Sequence, residues 1–321
     1  SLIFSPSLEA ARKMNAALRS LGNVSSDGRP IFGFSARDLL KIVLDASPEA
    51  MLVPAHAWTP WFSIFGSKSG FDSIEECFGE HSRHIHAIET GLSSDPEMNW
   101  RVSALDDVVL ISNSDAHSPS KLGREANVFD CDMDYFEIRD ILIKKDRSRF
   151  LFTVEFFPEE GKYHSDGHRA CGVRLSPAET KALSGVCPSC GKPLTVGVLS
   201  RVEELADRPD GARPANAIPA RRLVPLVEVL SEAMGVGVGS RKVEREYRRL
   251  TSLAPEFSYL LDMEESEIRD AAGERVASAI IKVREGELSI TPGFDGEFGR
   301  ISIFGHEAAE ERDAAAHPSL F

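Results

Sequence analysis

Four residues of types that bind divalent metals close three short apolar runs in the first 120 residues. MLVPAHAW reaches His56, HIHAIETG reaches Glu89, and VVLISNSDAHS carries Asp115 and His117. Imidazole and carboxylate together suit Zn, Mn or Mg rather than one metal exclusively. Ions held this way lower the pKa of bound water, so the implied chemistry is hydrolytic. Short apolar runs are how buried parallel strands read in sequence, and barrel enzymes carry their chemistry at C-terminal strand ends. Asp115 and His117 are two apart, so on a strand both would leave the same face. Singly, each has an ordinary reading: a hydrogen-bonded histidine, a helix-capping glutamate, a local turn. Their recurrence at strand ends favours ligation.

A second constellation has a different character. His168-x-x-Cys171 is followed after fifteen residues by Cys187-x-x-Cys190-Gly191-Lys192. Two short chelating turns of this kind supply the four N and S ligands of a tetrahedral zinc. His168 fits the spacing best as the fourth ligand, with His164 as competitor. Four protein ligands leave no open position, so this zinc is expected to be structural. The remaining cysteines, Cys77 and Cys131, stand apart. An odd, unevenly placed set argues for metal binding in a reducing, cytoplasmic setting over a disulfide framework.

These residues need elements to position them. SPSLEAARKMNAALRSLG and SARDLLKIVLDASPEA read as amphipathic helices leading into the His56 strand. Helix and strand then alternate through ANVFDCDMDYFEIRDILIKKD, a βα pattern with a parallel sheet over residues 1–150. From Arg149 the texture turns β-rich around the cysteines, giving a small zinc domain over 151–206. DRPDGARPANAIPA, within 207–222, reads as a linker. Helices follow over 223–305, closing in a β-hairpin at ELSITPGFDGEFGRISIF, and 306–321 reads as a disordered acidic tail. No run is long enough to span a membrane, so no membrane association is expected.

The net charge of −13 counts against nonspecific nucleic-acid binding. Local features point the other way. Trp58 and Trp61, with Phe62 and Phe65, directly follow His56 and could stack on bases or wedge a duplex. Lys68 sits in GSKSGFDS, a turn that could hold a phosphate before a helix. Lys162 and His164, beside Tyr163 and Asp166, are candidates for a base-reading pocket. Between Ser240 and Leu250 there are five basic and two acidic residues, and Arg241 and Arg245 fall on one helix stripe.

PAHAWTPWFSIFGSKSGFDSIEECF, AIETGLSSDPEMNW and ISNSDAHSPSKLGREANVF resemble the polymerase-and-histidinol-phosphatase (PHP) superfamily, and more narrowly the endonuclease Q group. EEGKYHSDGHRACG…CPSCGKPLTVGVLSRVEELADRP is similar to the same group, and the resemblance runs from about residue 1 to 305. It implies an α/β fold: a distorted β/α barrel holding divalent ions, then a zinc-binding domain and a mainly helical C-terminal domain. It also implies nicking of DNA 5′ to deaminated bases such as uracil and hypoxanthine, with His56, Glu89, Asp115 and His117 as metal ligands. The resemblance assigns no catalytic side chain beyond these. The family's barrel opens with a His-x-His strand for which no counterpart precedes Ser1, so a partial barrel and an incompletely filled metal site are expected. His84 and His86 form the chain's His-x-His pair, on the opposite strand face from Glu89. Alternatives are a phosphoesterase or exonuclease on other esters, and a noncatalytic metal- and DNA-binding fragment. His317-Pro318-Ser319-Leu320-Phe321 is similar to bacterial sliding-clamp-binding peptides, which makes the clamp a candidate partner.

Overall fold

The computed structural model describes residues 1–25 and 30–305. The tail and its clamp-like peptide therefore lie outside the described residues. The chain opens with β1 (Leu2–Phe4), which pairs antiparallel with β2 (Met51–Val53) in the register Leu2↔Val53. Three residues before a helix cap are too few to show a period, so β1 carries no sequence signal.

Between these strands lie α1 (Leu8–Leu21) and α2 (Ala36–Ala46). The Ser7 hydroxyl accepts from Ala10 N–H at the start of α1, and Ser35 and Asp38 form a reciprocal capping box on α2. Their apolar stripes, Ala10 and Met14 on α1 and Leu40 and Val43 on α2, enter one core with Phe78, Ile88 and Trp58. After α3 (Ile74–Phe78) comes β3 (Ala87–Glu89), parallel to β4 (Val109–Ile111), with α4 (Pro96–Asn99) between them. Glu89 stands opposite Ile111 at the C-terminal end of this pair. Strands β2, β3 and β4 are buried at every position, as their unbroken apolar runs require.

β5 (Ala126–Phe129) pairs antiparallel with β6 (Phe150–Glu155), and α5 (Tyr135–Lys144) connects them. Ile141, Leu142 and Phe150 pack against Val53, Ala87 and Ile111 in a second core. The zinc segment contributes the β7 (Asp166–His168) and β8 (Val173–Leu175) hairpin, α6 (Pro177–Ala182) and α7 (Val198–Leu205).

Two stretches differ from the expected boundaries. β6, paired with β5, lies almost wholly in the segment read as zinc domain. β9 (Ala220–Arg222), within the supposed linker, pairs parallel to β6 through Thr153↔Ala220 and Glu155↔Arg222. Ala-Arg-Arg has no apolar signature. It is held by backbone pairing and by Arg222, which binds the carboxylates of Asp95 and Glu97.

The C-terminal region is helical as expected: α8 (Leu226–Ala233), α9 (Arg241–Thr251), α10 (Glu265–Ala272) and α11 (Glu274–Glu285). Leu226, Val229, Leu230, Leu250, Ile268 and Ile280 form its core, which also takes Val154 of β6. The terminal hairpin joins β10 (Ser289–Thr291) to β11 (Arg300–Ser302). Among the described residues no helix is long and apolar enough to cross a membrane.

Candidate functional site

His56 lies three residues beyond β2, and its half-buried ring is fixed at both ends of a short network. Its Nδ1 is 3.0 Å from Thr59 Oγ1, and its backbone N–H donates to Glu89 Oε2 at 2.8 Å. The Thr59 hydroxyl can itself donate to the carbonyls of His56 and Trp61. Thr59 oxygen then accepts from Nδ1–H, which leaves the Nε2 lone pair free to bind a metal. Burial pushes the His56 pKa down, opposed by the carboxylates of Glu89 and Asp115, so the neutral, ligating form is favoured.

Glu89 is 2% exposed. Its second oxygen accepts from Asn113 Nδ2 at 2.9 Å, Asn113 accepts from Asn127, and Asn127 is bonded in turn to both backbone polar groups of Ser112. Buried carboxylates held by donors in this way have little rotational freedom. Asp115 and His117 do not sit on a strand. β4 ends at Ile111, and both residues occupy the exposed loop beyond it, so the same-face argument fails. They still meet: His117 Nε2 is 3.7 Å from Asp115 Oδ1.

His56 and Asp115 both have left-handed backbones, at φ 36° and 42°. A non-glycine residue there is strained, and such strain clusters at functional sites. Gly91 makes the His56 conformation possible. Its own φ is +62°, and a Cβ there would lie 2.9 Å from His56 Cα and Cβ. The four residues thus share one strand-end region but do not close into a compact ligand set. Among the described residues, the group of three or more metal-capable side chains is the cysteine cluster alone. The imidazole and carboxylate donors, with Thr59 and Asn113 behind them, fit a divalent ion in kind.

In that cluster the ligand atoms of His168, Cys171, Cys187 and Cys190 all lie within 4.8 Å of one another. Cys190 Sγ is 3.4 Å from His168 Nδ1. Although desolvation opposes it, the N–H groups of Ser189 and Cys190 bring the Cys187 thiol down to about 7, whereas Cys171, hydrogen-bonded by Cys190, is pushed up to about 11. One imidazole and three thiols gathered this closely are a donor set that fits zinc. His164, the alternative ligand, lies elsewhere. It is buried with no partner on Nδ1, and desolvation lowers its pKa to about 4.

The residues considered for DNA contact divide. Trp58 is a correction: it is 1% exposed, and its indole N–H donates to Asn99, so its ring fills the core and offers no face to a base. The Lys68 turn is another. Lys68 is exposed, but the Asp72 N–H beyond it already donates to Glu76 and the Glu76 N–H to Ser73. Those two amides are therefore already engaged, while the Lys68 side chain itself stays exposed. Trp61 is exposed and meets Tyr163 edge-on at 5.1 Å, beside Lys162. On α9, Glu244 and Glu246 take Arg248 and Arg249, while Arg241 and Arg245 are exposed and make no ion pair among the described residues.

Sequence reading passed over a buried acidic pair. Glu125 is 3% exposed; burial, then the neighbouring Glu155 charge, raises its pKa against an opposing hydrogen bond from the Phe156 backbone. Glu155, 0% exposed, accepts from Thr90, and desolvation raises it to about 8. Neither residue follows a recognisable spacing. Asn113 was the more legible omission, since it lies inside the same NSDAH run as two ligand candidates.

Residues 225–287 match the family model described as the MJ0043 C-terminal domain. The chain is 33% identical over 256 residues to the uncharacterized protein MJ0043 of Methanocaldococcus jannaschii, covering 77% of this chain but only 31% of that protein's length. It is 30% identical over 307 residues to the uncharacterized protein YqxK of Bacillus subtilis, covering 94% of this chain and 73% of that one. Its fold matches the crystal structure of the lesion-specific endonuclease PfuEndoQ from Pyrococcus furiosus with a TM-score of 0.84 and 29% identity, over 99% of this chain and 78% of that one. It also matches a structure of endonuclease Q in complex with a 27-mer duplex substrate carrying an abasic lesion at the active site. There the TM-score is 0.82 at 30% identity, over 95% of this chain and 76% of that one.

Proposed function

This chain belongs to the endonuclease Q family, and from that premise we propose that it is a metal-dependent DNA repair endonuclease that nicks one strand 5′ to deaminated bases such as uracil and hypoxanthine. The observation that carries the metal-dependent reading is the paired left-handed backbone of His56 and Asp115, next to a Glu89 carboxylate held by His56 N–H and Asn113. His56 through Nε2, Glu89, Asp115 and His117 would hold the divalent ions. When bound, such ions supply an activated water and stabilise the leaving oxygen.

The chain's own residues prepare this site. Thr59 orients the His56 ring, Asn113 and Asn127 fix Glu89, and Gly91 admits the His56 backbone. The Cys/His cluster would carry a structural zinc, because its four close N and S donors are the number and kind that tetrahedral zinc takes. Deamination replaces an amino group with a carbonyl, and the resulting mispair lowers the cost of flipping the base. Arg241 and Arg245, exposed on α9 of an acidic protein, would bind backbone phosphate. The Leu320–Phe321 pair is proposed as a clamp anchor on sequence grounds, and its deletion should abolish any clamp binding.

The test uses the zinc-loaded chain with Mn or Mg and end-labelled duplexes carrying uracil, hypoxanthine, an abasic site or normal bases. A single break 5′ to the lesion is the expected result. Cleavage of a generic phosphomonoester with no lesion-dependent break would place the chain among the phosphoesterases instead.

A further inference from the structure

Three segments far apart in sequence bring Trp61, the half-buried Tyr163, Phe298 and one lysine together. Trp61 and Phe62 come from the loop after His56, Lys162 and Tyr163 from the junction before β7, and Phe298 from the turn of the terminal hairpin. Lys162 Nζ lies 5.6 Å from the Tyr163 ring centroid and 5.7 Å from that of Phe298, so one cation bridges two rings. Trp61 meets Tyr163 at 5.1 Å with an interplanar angle of 71°. Phe62 and Phe298 are 83% and 77% exposed, an unfavourable placement for such rings unless something covers them.

This surface is built rather than accidental. The hairpin turn is tied to the zinc segment by Asp295, whose backbone is left-handed at φ 43° and whose carboxylate accepts from Arg169 N–H and Thr195 Oγ1, both at 2.6 Å. Gly296 N–H donates to the Lys162 carbonyl at 2.8 Å, which locks Phe298 beside the lysine. The aromatic loop is tied by Arg201 of α7. Its guanidinium, 6% exposed, donates to the carbonyls of Phe65 and Phe71 and pairs with Asp72. Thr59 bonds both the Trp61 carbonyl and the His56 ring, so the surface adjoins the candidate metal centre through one residue.

We infer that Trp61, Lys162, Tyr163 and Phe298 form a stacking platform for unpaired nucleobases of the DNA strand next to the cleavage site. This rests on the reading of the chain as a DNA endonuclease. Ring faces bind base faces, which a duplex hides inside its stack and a flipped or frayed strand exposes. Lys162 has no ion pair among the described residues and supplies positive charge for the adjoining phosphate on a chain of net charge −13. The platform is sequence-tolerant, because every base has a π face, and Asp295 ties the turn that carries Phe298 to the segment that holds the Cys/His cluster.

The experiment titrates the full zinc-loaded chain with an oligothymidylate of about ten nucleotides, a length within the range of single-strand sites. Affinity and tryptophan fluorescence are followed together. Binding with quenching is expected, weakened about tenfold in Phe298→Ala and in Trp61→Ala. Trp61→Phe should keep the affinity and lose most of the quenching. Lys162→Ala should lower the salt slope by about one. Zinc content and thermal midpoint report that the variants remain folded. The inference is overturned if the wild type does not bind, or if Phe298→Ala and Trp61→Ala bind as the wild type does. Lesion nicking is scored on the same preparations. Variant-sensitive binding without nicking overturns the endonuclease reading and leaves the platform standing; nicking with variant-insensitive binding does the reverse.

Discussion

Replacing Gly91 with alanine should separate two costs that the structure assigns to one position. The residue sits at φ +62°, and placing an L side chain in a left-handed backbone costs about 1–2 kcal/mol. The new Cβ would also lie 2.9 Å from His56 Cα, a main-chain atom, and from His56 Cβ, whose position the backbone fixes, so neither can swing aside. Overpacking of this kind adds roughly 1–3 kcal/mol, for a total of about 2–5 kcal/mol. Gly286 is the control. Its φ is +72°, it caps α11, and a Cβ there meets nothing within 4 Å, so Gly286→Ala should cost only the backbone part, about 1–2 kcal/mol. Urea denaturation of both variants gives the difference. Metal titration should find Gly91→Ala weakened and Gly286→Ala unchanged, because only the former displaces His56. Equal stability losses, within about 0.5 kcal/mol, together with unchanged metal binding would refute the reasoning.

Further outcomes follow from other contacts. Cys187→Ser should abolish zinc binding, expected at one atom per chain in the wild type and read by metal analysis, and should make residues around 166–197 sensitive to protease. Arg201→Met should cost about 2–4 kcal/mol in denaturant, since the Phe65 and Phe71 carbonyls lose their donor. His164 titrates at about 4 when folded and 6.5 ordinarily. As pH falls, the unfolded chain therefore takes the proton first, and about 3 kcal/mol of stability present above 6.5 is lost on approaching 4. His164→Leu should flatten that slope, and a wild-type stability curve with no loss across this window would contradict the burial argument. Glu155 behaves oppositely. Its folded pKa is raised, so its contribution is complete below 4.5 and lost as pH rises through about 8, a loss absent in Glu155→Gln.

Much of the fold was legible because its signals are local. Ser7, Ser35 and Ser240 cap the helices that their positions predict, and the cysteine spacing locates the β7–β8 metal segment. The apolar runs at β2, β3 and β4 also follow from burial on both faces. What escaped depends on distant partners. β1 and β9 exist because another strand supplies their hydrogen bonds, not because Leu-Ile-Phe or Ala-Arg-Arg prefer extension. Within the candidate site, residue types were readable but their setting was not. Asp115 and His117 lie in a loop rather than on a strand, and Trp58 faces the core because Asn99, forty-one residues away, accepts its N–H. The platform was half legible. The aromatics after His56 stand out in sequence, whereas Phe298 joins them through distant contacts, the Asp295 anchor and the Gly296–Lys162 bond.

The central claim is that lesion-directed cleavage runs through metal held near Asp115. An end-labelled duplex with one uracil, incubated with Mn and either the wild-type chain or Asp115→Asn, tests it most directly. The account predicts one break 5′ to the uracil that disappears on chelation and in Asp115→Asn. Breaks that persist in that variant, or that fall without regard to the uracil, would contradict it.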